Sequence, residues 1–286
     1  MKIFYIGSSG ALSLMPFKKL LSSGHMIVAV GVFNPVVFDA KIIAIENASL
    51  ALLASQSGIP VIDLSQPVDD VVQQCSEFTV DVTFMSCYGS RLPEAIINLA
   101  GMGCYNLHPS LLPGFRGPEP VFWQMRQGAE MGVSWHRVVR DFDAGDIVAS
   151  KRVFLDDGEQ YLSITALLAE AGANLLPVLL AELSSGSVTQ TPQQQGETSY
   201  YSCPEKSDFI IDTQQSAQQL FNFMSATQIF GQPYLCDTGQ YRYTLEKALD
   251  YDNNARLETV EVQADRLYIP CNEGVLIASY TDKIRL

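Results

Sequence analysis

Histidine is nearly missing from this chain, with only His25, His108 and His136 in 286 residues. Imidazole chemistry is therefore confined to three places. Cationic residues are also scarce: 18 lysines and arginines stand against 31 aspartates and glutamates, a formal charge of −13. Binding a polyanion rests on lysine and arginine displacing counterions, so nucleic acid is a disfavoured partner. The six cysteines (Cys75, Cys87, Cys104, Cys203, Cys236, Cys271) form no C-x-x-C pair and no repeated spacing. That excludes a zinc ribbon or disulfide framework and reads as free thiols in a reducing cytoplasm; no metal is expected. The opening apolar run is broken by Gly7-Ser8-Ser9-Gly10 before it reaches signal-peptide length, and no later stretch reads as a membrane span. The same glycine turn lacks G-x-G-x-x-G, the spacing that lets a backbone approach a pyrophosphate, so it reads as a plain turn. No internal repeat is evident.

What is present is a large apolar fraction, 47% of residues, enough for one large domain and a smaller one. Short β-branched runs alternate with helical periodicity through the first half, the pattern of an α/β fold with a doubly wound, mainly parallel sheet. Strands are expected at residues 3–6, 26–33, 59–64, 80–87, 104–108, 133–139 and 146–154, and helices at 15–22, 49–56, 93–99, 121–127 and 161–183, with Pro177 kinking the last. Residues 1–184 then form one domain, residues 185–203 a linker that loses apolar periodicity, and residues 204–286 a small β-rich C-terminal domain. That last domain is expected to hold a helix at 216–226 and strands at 242–245, 257–262, 266–269 and 275–279.

The chemistry concentrates in Asn106-Leu107-His108-Pro109-Ser110-Leu111-Leu112-Pro113-Gly114-Phe115-Arg116-Gly117 and, downstream, Asp143-Ala144-Gly145-Asp146. On an extended chain Asn106 and His108 share a face while Tyr105 and Leu107 point into the sheet, so a hydrogen-bond donor and a general base stand side by side at a strand's carboxyl end. Gly145 is expected to permit the tight turn that carries Asp143 inward. His136 shares a face with Ser134, Trp135 taking the other side, and reads either as a partner of the site or as a structural residue. His25 reads as a turn residue.

Asn106-x-His108-x-Ser110-Leu111-Leu112-Pro113, with Arg116-Gly117 and the distant Asp143, resembles the formyltransferases that use 10-formyltetrahydrofolate. The likeness runs over about residues 1–183, strongest at 80–151, and extends weakly to Asp208-Phe209-Ile210-Ile211-Asp212 and Glu273-Gly274-Val275-Leu276-Ile277. It implies a Rossmann-like formyltransferase sheet and Asn106, His108 and Asp143 as the catalytic trio. Asn106 and a protonated His108 would hold the charge that grows on the formyl oxygen, with Asp143 raising the imidazole's proton affinity. The resemblance places the folate co-substrate against Cys87, Tyr88, Gly89 and Arg91 in one loop and Val139, Arg140 and Asp141 in another. Ser110 would secure the loop, and Arg116 would either face an anionic part of the acceptor or cap the loop.

The acceptor is less sharply marked. Transfer-RNA formyltransferases carry a basic early insertion and a full C-terminal barrel, whereas residues 33–41 here offer one lysine, the tail is short and the chain is acidic. Gly132-Val133-Ser134-Trp135-His136-Arg137-Val138-Val139 is similar to the corresponding strand of formyltransferases that act on amino-arabinose nucleotides. The expected acceptor is a small-molecule amine, an amino-sugar nucleotide, against which Phe115, Phe122 and Trp123 would either stack or serve as packing aromatics. Methionyl-tRNA formyl transfer, formyltetrahydrofolate hydrolysis and a folate-binding module without catalysis are the alternatives, and a homodimer is left open.

Overall fold

The computed structural model describes residues 1–33, 37–38, 41–42, 49–194, 196 and 198–286. Most of residues 33–41, the segment compared with the basic insertion of tRNA enzymes, lies outside the described residues, as does Gln195 of the glutamine run. The chain divides into two compact units: Met1–Pro120, Glu130–Phe154 and Thr165–Tyr201 in one, and Val121–Ala129, Leu155–Ile164 and Ser202–Leu286 in the other.

Strands β1 (Lys2–Gly7), β2 (Met26–Val32), β3 (Val37–Phe38), β4 (Lys41–Ile42), β5 (Val61–Asp63), β6 (Val82–Ser86), β7 (Cys104–His108), β8 (Met131–Arg137) and β9 (Ile147–Val153) belong to the first unit. Seven of them form one sheet in the order β5-β2-β1-β6-β7-β8-β9, parallel as far as β7 and antiparallel at β8 and β9; β3 and β4 form a separate antiparallel pair. The chain winds outward from β1 to β5 and returns to β6 beside β1, so a topological switch point falls between β1 and β6, where open sheets leave a crevice at their carboxyl ends. The central strands are buried on both faces. Ile3, Phe4, Tyr5 and Ile6 of β1 and all five residues of β6 are inaccessible or nearly so, which explains their unbroken apolar runs.

Helix α1 (Ala11–Leu21) starts before the expected residue 15, because Gly10, at φ 83°, stands at its N-cap with no side chain to announce it. Helix α2 (Leu50–Gln56) starts one residue after the expected 49, because Ser49 is its N-cap, with Oγ accepting the Leu52 amide at 3.2 Å. Helix α3 (Val68–Ser76) was not expected; Asp69 and Asp70 suit its N-terminus, and Val71 and Cys75, one turn apart, are buried. A short helix α4 (Glu94–Ile97) precedes β7, and α5 (Pro120–Gln127) follows the motif loop.

Helix α6 (Tyr161–Ser185) corrects the expectation that no segment could span a bilayer: by length and composition it could. Over half of its most apolar window is buried. Leu168, Leu176, Leu179 and Leu180 are at most 3% exposed, so its all-round apolarity is that of a core helix. Its Gly172 carbonyl accepts the Trp135 indole N–H at 2.9 Å, and a Cβ on Gly172 would press on Leu107. This packing holds the back of β7.

The expected linker also differs. Residues 187–194 and 198–201 lie in no named helix or strand, yet they belong to the first unit: Thr191 bridges Ile147, and Tyr200 bridges Arg116. Hydrogen bonds to the strand-end loops, not secondary structure, fix this strap.

In the second unit, α7 (Ala217–Thr227), capped by Ser216, accompanies a five-stranded antiparallel sheet. Its strands are β10 (Tyr234–Asp237), β11 (Tyr241–Asp252), β12 (Glu261–Gln263), β13 (Arg266–Pro270) and β14 (Val275–Arg285), in the order β10-β11-β14-β13-β12. Phe122 is fully buried among Phe209, Phe223 and Phe230, with ring centroids 5.2–5.5 Å away, so it is a core residue and not a platform for a sugar or base. Trp123 donates its indole N–H to the Ser202 carbonyl.

Candidate active site

The register between β7 and β8 sets the site. Asn106 lies opposite His136, Leu107 opposite Trp135 and His108 opposite Ser134. Tyr105, Leu107 and Trp135 are 0–2% exposed. Burying each of these large side chains stabilises the pair by about 1.5–3 kcal/mol and fixes which face Asn106, His108 and His136 occupy. Ser134 then anchors the motif loop from beneath: its hydroxyl donates to the Ser110 carbonyl at 2.8 Å and accepts the Leu112 amide at 3.0 Å. Ser110 donates to the Gly114 carbonyl at 2.7 Å, the loop-securing role expected of it.

Four side chains meet at the strand ends. Asp143 Oδ1 lies 3.6 Å from His108 Nδ1 and 3.5 Å from His136 Nε2, and Oδ2 accepts the Gly117 amide at 3.0 Å. Asn106 Nδ2 is 3.1 Å from His136 Nε2, and His136 Nδ1 is 2.9 Å from the Arg137 carbonyl. Since a carbonyl only accepts, His136 carries its proton on Nδ1 and receives the Asn106 amide at Nε2. His108 Nε2 donates to the Phe115 carbonyl at 2.8 Å. Its Nδ1 is therefore the nitrogen open to chemistry.

Burial opposes the Asp143 charge, but His108, His136 and the Gly117 amide outweigh it and hold the carboxyl well below the usual carboxylate range. His108 is pulled the other way. Burial lowers its proton affinity more than Asp143 and the Phe115 carbonyl raise it, with His136 and Arg116 adding to the lowering. The resting pair is carboxylate and neutral imidazole. Nε2 of His108 is committed to the Phe115 carbonyl. The donor left for a developing oxyanion is the Asn106 amide.

The turn at Asp143 is also built differently from expectation. Asp143 itself is left-handed, at φ 51°, as are Phe115 (57°) and Cys87 (56°). Three non-glycine residues in that region cluster in the loops at these strand ends, a conformation held at local cost by the surrounding bonds. Gly145 serves close approach: a Cβ there would run into the Arg137 carbonyl. Gly117, at φ 115°, faces the Tyr201 carbonyl in the same way.

One residue of the strap was missed by sequence reading. Gln193 Oε1 accepts from Arg116 Nε at 3.1 Å and Nη2 at 2.6 Å, and its Nε2 donates to the Asp143 and Gly145 carbonyls at 2.8 and 2.6 Å. Ser199 Oγ likewise accepts the Phe115 amide at 2.8 Å. A cavity of about 640 Å³ opens beside this network, lined by Arg91, Arg116, Asp141, Phe142, Gln193 and Tyr200 among others. Its size suits a small-molecule site.

The seven residues expected against folate divide. Arg91 lies over the Phe142 ring at 5.2 Å, bringing the two loops together, and Arg91 and Asp141 line the cavity. Gly89, Val139 and Arg140 are exposed without lining it, Cys87 is half-buried, and Tyr88 packs on the core and against the Phe33 ring at 5.6 Å. Phe115 stacks on Tyr201, 5.6 Å between centroids. Among the described residues, no group of three histidine, cysteine, aspartate or glutamate side chains is placed to hold a metal ion.

Comparison with known proteins places these features in context. A family model described as formyl transferase matches residues 35–180. Solved structures that share the fold include the following three. WlaRD, a sugar 3N-formyl transferase crystallised with dTDP and 5-N-formyl-THF, has 16% identity and a TM-score of 0.69, covering 99% of each chain. An N-formyltransferase from Helicobacter canadensis, in complex with folinic acid and dTDP-3-aminofucose, has 16% identity and a TM-score of 0.68 over 98% of this chain and 99% of that one. HypX from Aquifex aeolicus, in complex with tetrahydrofolic acid, has 17% identity and a TM-score of 0.60; the alignment covers 100% of this chain and 46% of HypX.

Proposed function

Because the chain belongs to the formyl transferase family, we propose that it moves the formyl group of 10-formyltetrahydrofolate onto the primary amine of a small molecule, an amino-sugar nucleotide. The observation that carries the reading is the cluster of Asn106, His136, Asp143 and His108 beside a cavity of about 640 Å³. The Arg91–Phe142 contact brings together the two loops that flank this cavity, in keeping with a flat ring held between backbone and apolar surface.

Bound 10-formyltetrahydrofolate supplies an activated formyl carbon and N10 as the leaving nitrogen. Asn106 donates to the formyl oxygen as the amine attacks and charge gathers there. His108 Nδ1 takes the proton that the amine sheds, and Asp143 stabilises the resulting imidazolium, whose other N–H stays on Phe115. His108 then returns that proton to N10 as the carbon–N10 bond breaks, so the amide forms with no covalent enzyme intermediate. His136 orients Asn106 by taking its amide at Nε2.

The amino-sugar assignment is supported by the neighbours crystallised with dTDP or dTDP-3-aminofucose. It is supported equally by the net charge of −13, which disfavours tRNA. Six free thiols suit a reducing cytoplasm. The test mixes purified protein and 10-formyltetrahydrofolate with separate pools of amino-sugar nucleotides and charged initiator tRNA, following tetrahydrofolate release. Release only with an amino-sugar pool is expected; formylation of the tRNA alone would overturn the acceptor assignment.

A further inference from the structure

Resting on the reading above, we propose that Gln193 is a clamp that aligns Arg116 to receive a phosphate of the acceptor in the cavity while fixing the turn that carries Asp143. The strap would then be part of the specificity site.

The geometry is the argument. A glutamine amide has one carbonyl and two N–H groups, and all are used here. The carbonyl accepts the Nε and Nη2 edge of Arg116, and Nε2 donates to two carbonyls of the 143–145 turn. A guanidinium held along one edge keeps its remaining N–H groups in a fixed fork, the arrangement that suits bidentate binding of phosphate or carboxylate. Among the described residues Arg116 has no carboxylate partner, although it lines a cavity. Two guanidiniums and one carboxylate (Arg91, Arg116, Asp141) give that cavity a net positive lining within a chain of charge −13. The field there favours an anion that the rest of the surface repels.

The position also links binding to chemistry. The charged and titratable groups acting on His108 are Asp143, His136 and Arg116, and Arg116 lowers its proton affinity. A phosphate on Arg116 offsets that effect, so the general base strengthens when the acceptor is seated.

The experiment compares wild type with Arg116→Gln, Arg116→Lys and Gln193→Ala, checked for folding by thermal melts. The acceptors are an amino-sugar nucleotide formylated by the wild type and the same amino sugar without its nucleotide. Arg116→Gln is expected to raise KM for the nucleotide form roughly 10- to 100-fold, the scale of a lost charge-assisted hydrogen bond, and to lower kcat/KM for the nucleotide form far more than for the unlinked sugar. Arg116→Lys should fall between, and Gln193→Ala should both raise that KM and lower kcat, because it loosens Arg116 and Asp143 together. In Arg116→Gln the acid limb of kcat/KM should move to higher pH. Equal losses on both acceptors, or a rise in KM for 10-formyltetrahydrofolate in place of the nucleotide, would overturn the proposal; the latter would make the anion the folate tail. If wild type formylates no amino-sugar nucleotide, the acceptor assignment fails before the variants are made.

Discussion

His108 Nδ1 lies 3.6 Å from Asp143 Oδ1, close enough for strong electrostatic coupling yet longer than a hydrogen bond. The gap has a cause. Asp143 is tethered through Oδ2 to the Gly117 amide, and His108 through Nε2 to the Phe115 carbonyl. The neutral imidazole and the carboxylate are thus held in readiness for a proton that arrives on Nδ1 only during turnover.

Asp143→Asn keeps the side chain's shape and an acceptor for Gly117 but removes the charge that favours imidazolium. The kcat is expected to fall by about 10²- to 10⁴-fold, the usual worth of general acid–base catalysis. Because Asp143 raises the proton affinity of His108, its loss moves the acid limb of the pH–rate profile to lower pH. An unchanged limb would show that the carboxylate does not act on the imidazole.

Stability should fall in acid in two windows. His108 has a lowered proton affinity in the fold, so the unfolded chain binds its proton first, and stability declines as pH drops below the ordinary histidine value of 6.5. Asp143 has a depressed value, so its contribution is present above 3.8, the ordinary aspartate value, and is lost as pH falls through the folded value below it. Melting temperatures from pH 7.5 to 3 should show both declines. His108→Gln should flatten the upper window, apart from a remainder from His25, whose affinity is also lowered by burial; Asp143→Asn should flatten the lower one. Parallel curves for wild type and both variants would contradict this.

Gly117→Ala sets a Cβ against the Tyr201 carbonyl at a φ of 115°, and displaces the amide that holds Asp143. A loss of about 1–3 kcal/mol is expected, a drop of several degrees in melting temperature together with reduced kcat. Gly186→Ala, which meets no neighbouring atom although its φ is 69°, serves as the comparison for backbone strain alone. Equal behaviour of the two variants would remove the special role of Gly117.

Much of this site was legible in the sequence because period-two alternation gave Asn106 and His108 a shared face on one strand and Ser134 and His136 a shared face on the next, and the register then set all four on the same side of the sheet. Backbone groups were not legible. The Phe115 carbonyl and the Gly117 amide belong to every residue type, so no side chain marks their role. Gln193 was hidden for a related reason: the strap carries no apolar period, and its order comes from hydrogen bonds to loops distant in sequence. Helix α3 did carry a signal, acidic residues before Val71 and Cys75 at a four-residue spacing, but nine residues hold too few turns to stand out. The bilayer reading of α6 shows the converse, since composition reports apolarity without saying what covers it.

The claim on which the account turns is that His108 moves the amine's proton. The direct measurement is kcat of His108→Gln at saturating 10-formyltetrahydrofolate and acceptor, with folate affinity measured by titration on the same preparation. A fall of about 10²- to 10⁴-fold in kcat with folate affinity within about threefold is predicted. Turnover equal to wild type in a folded protein would contradict it and leave His108 as a loop anchor for Phe115.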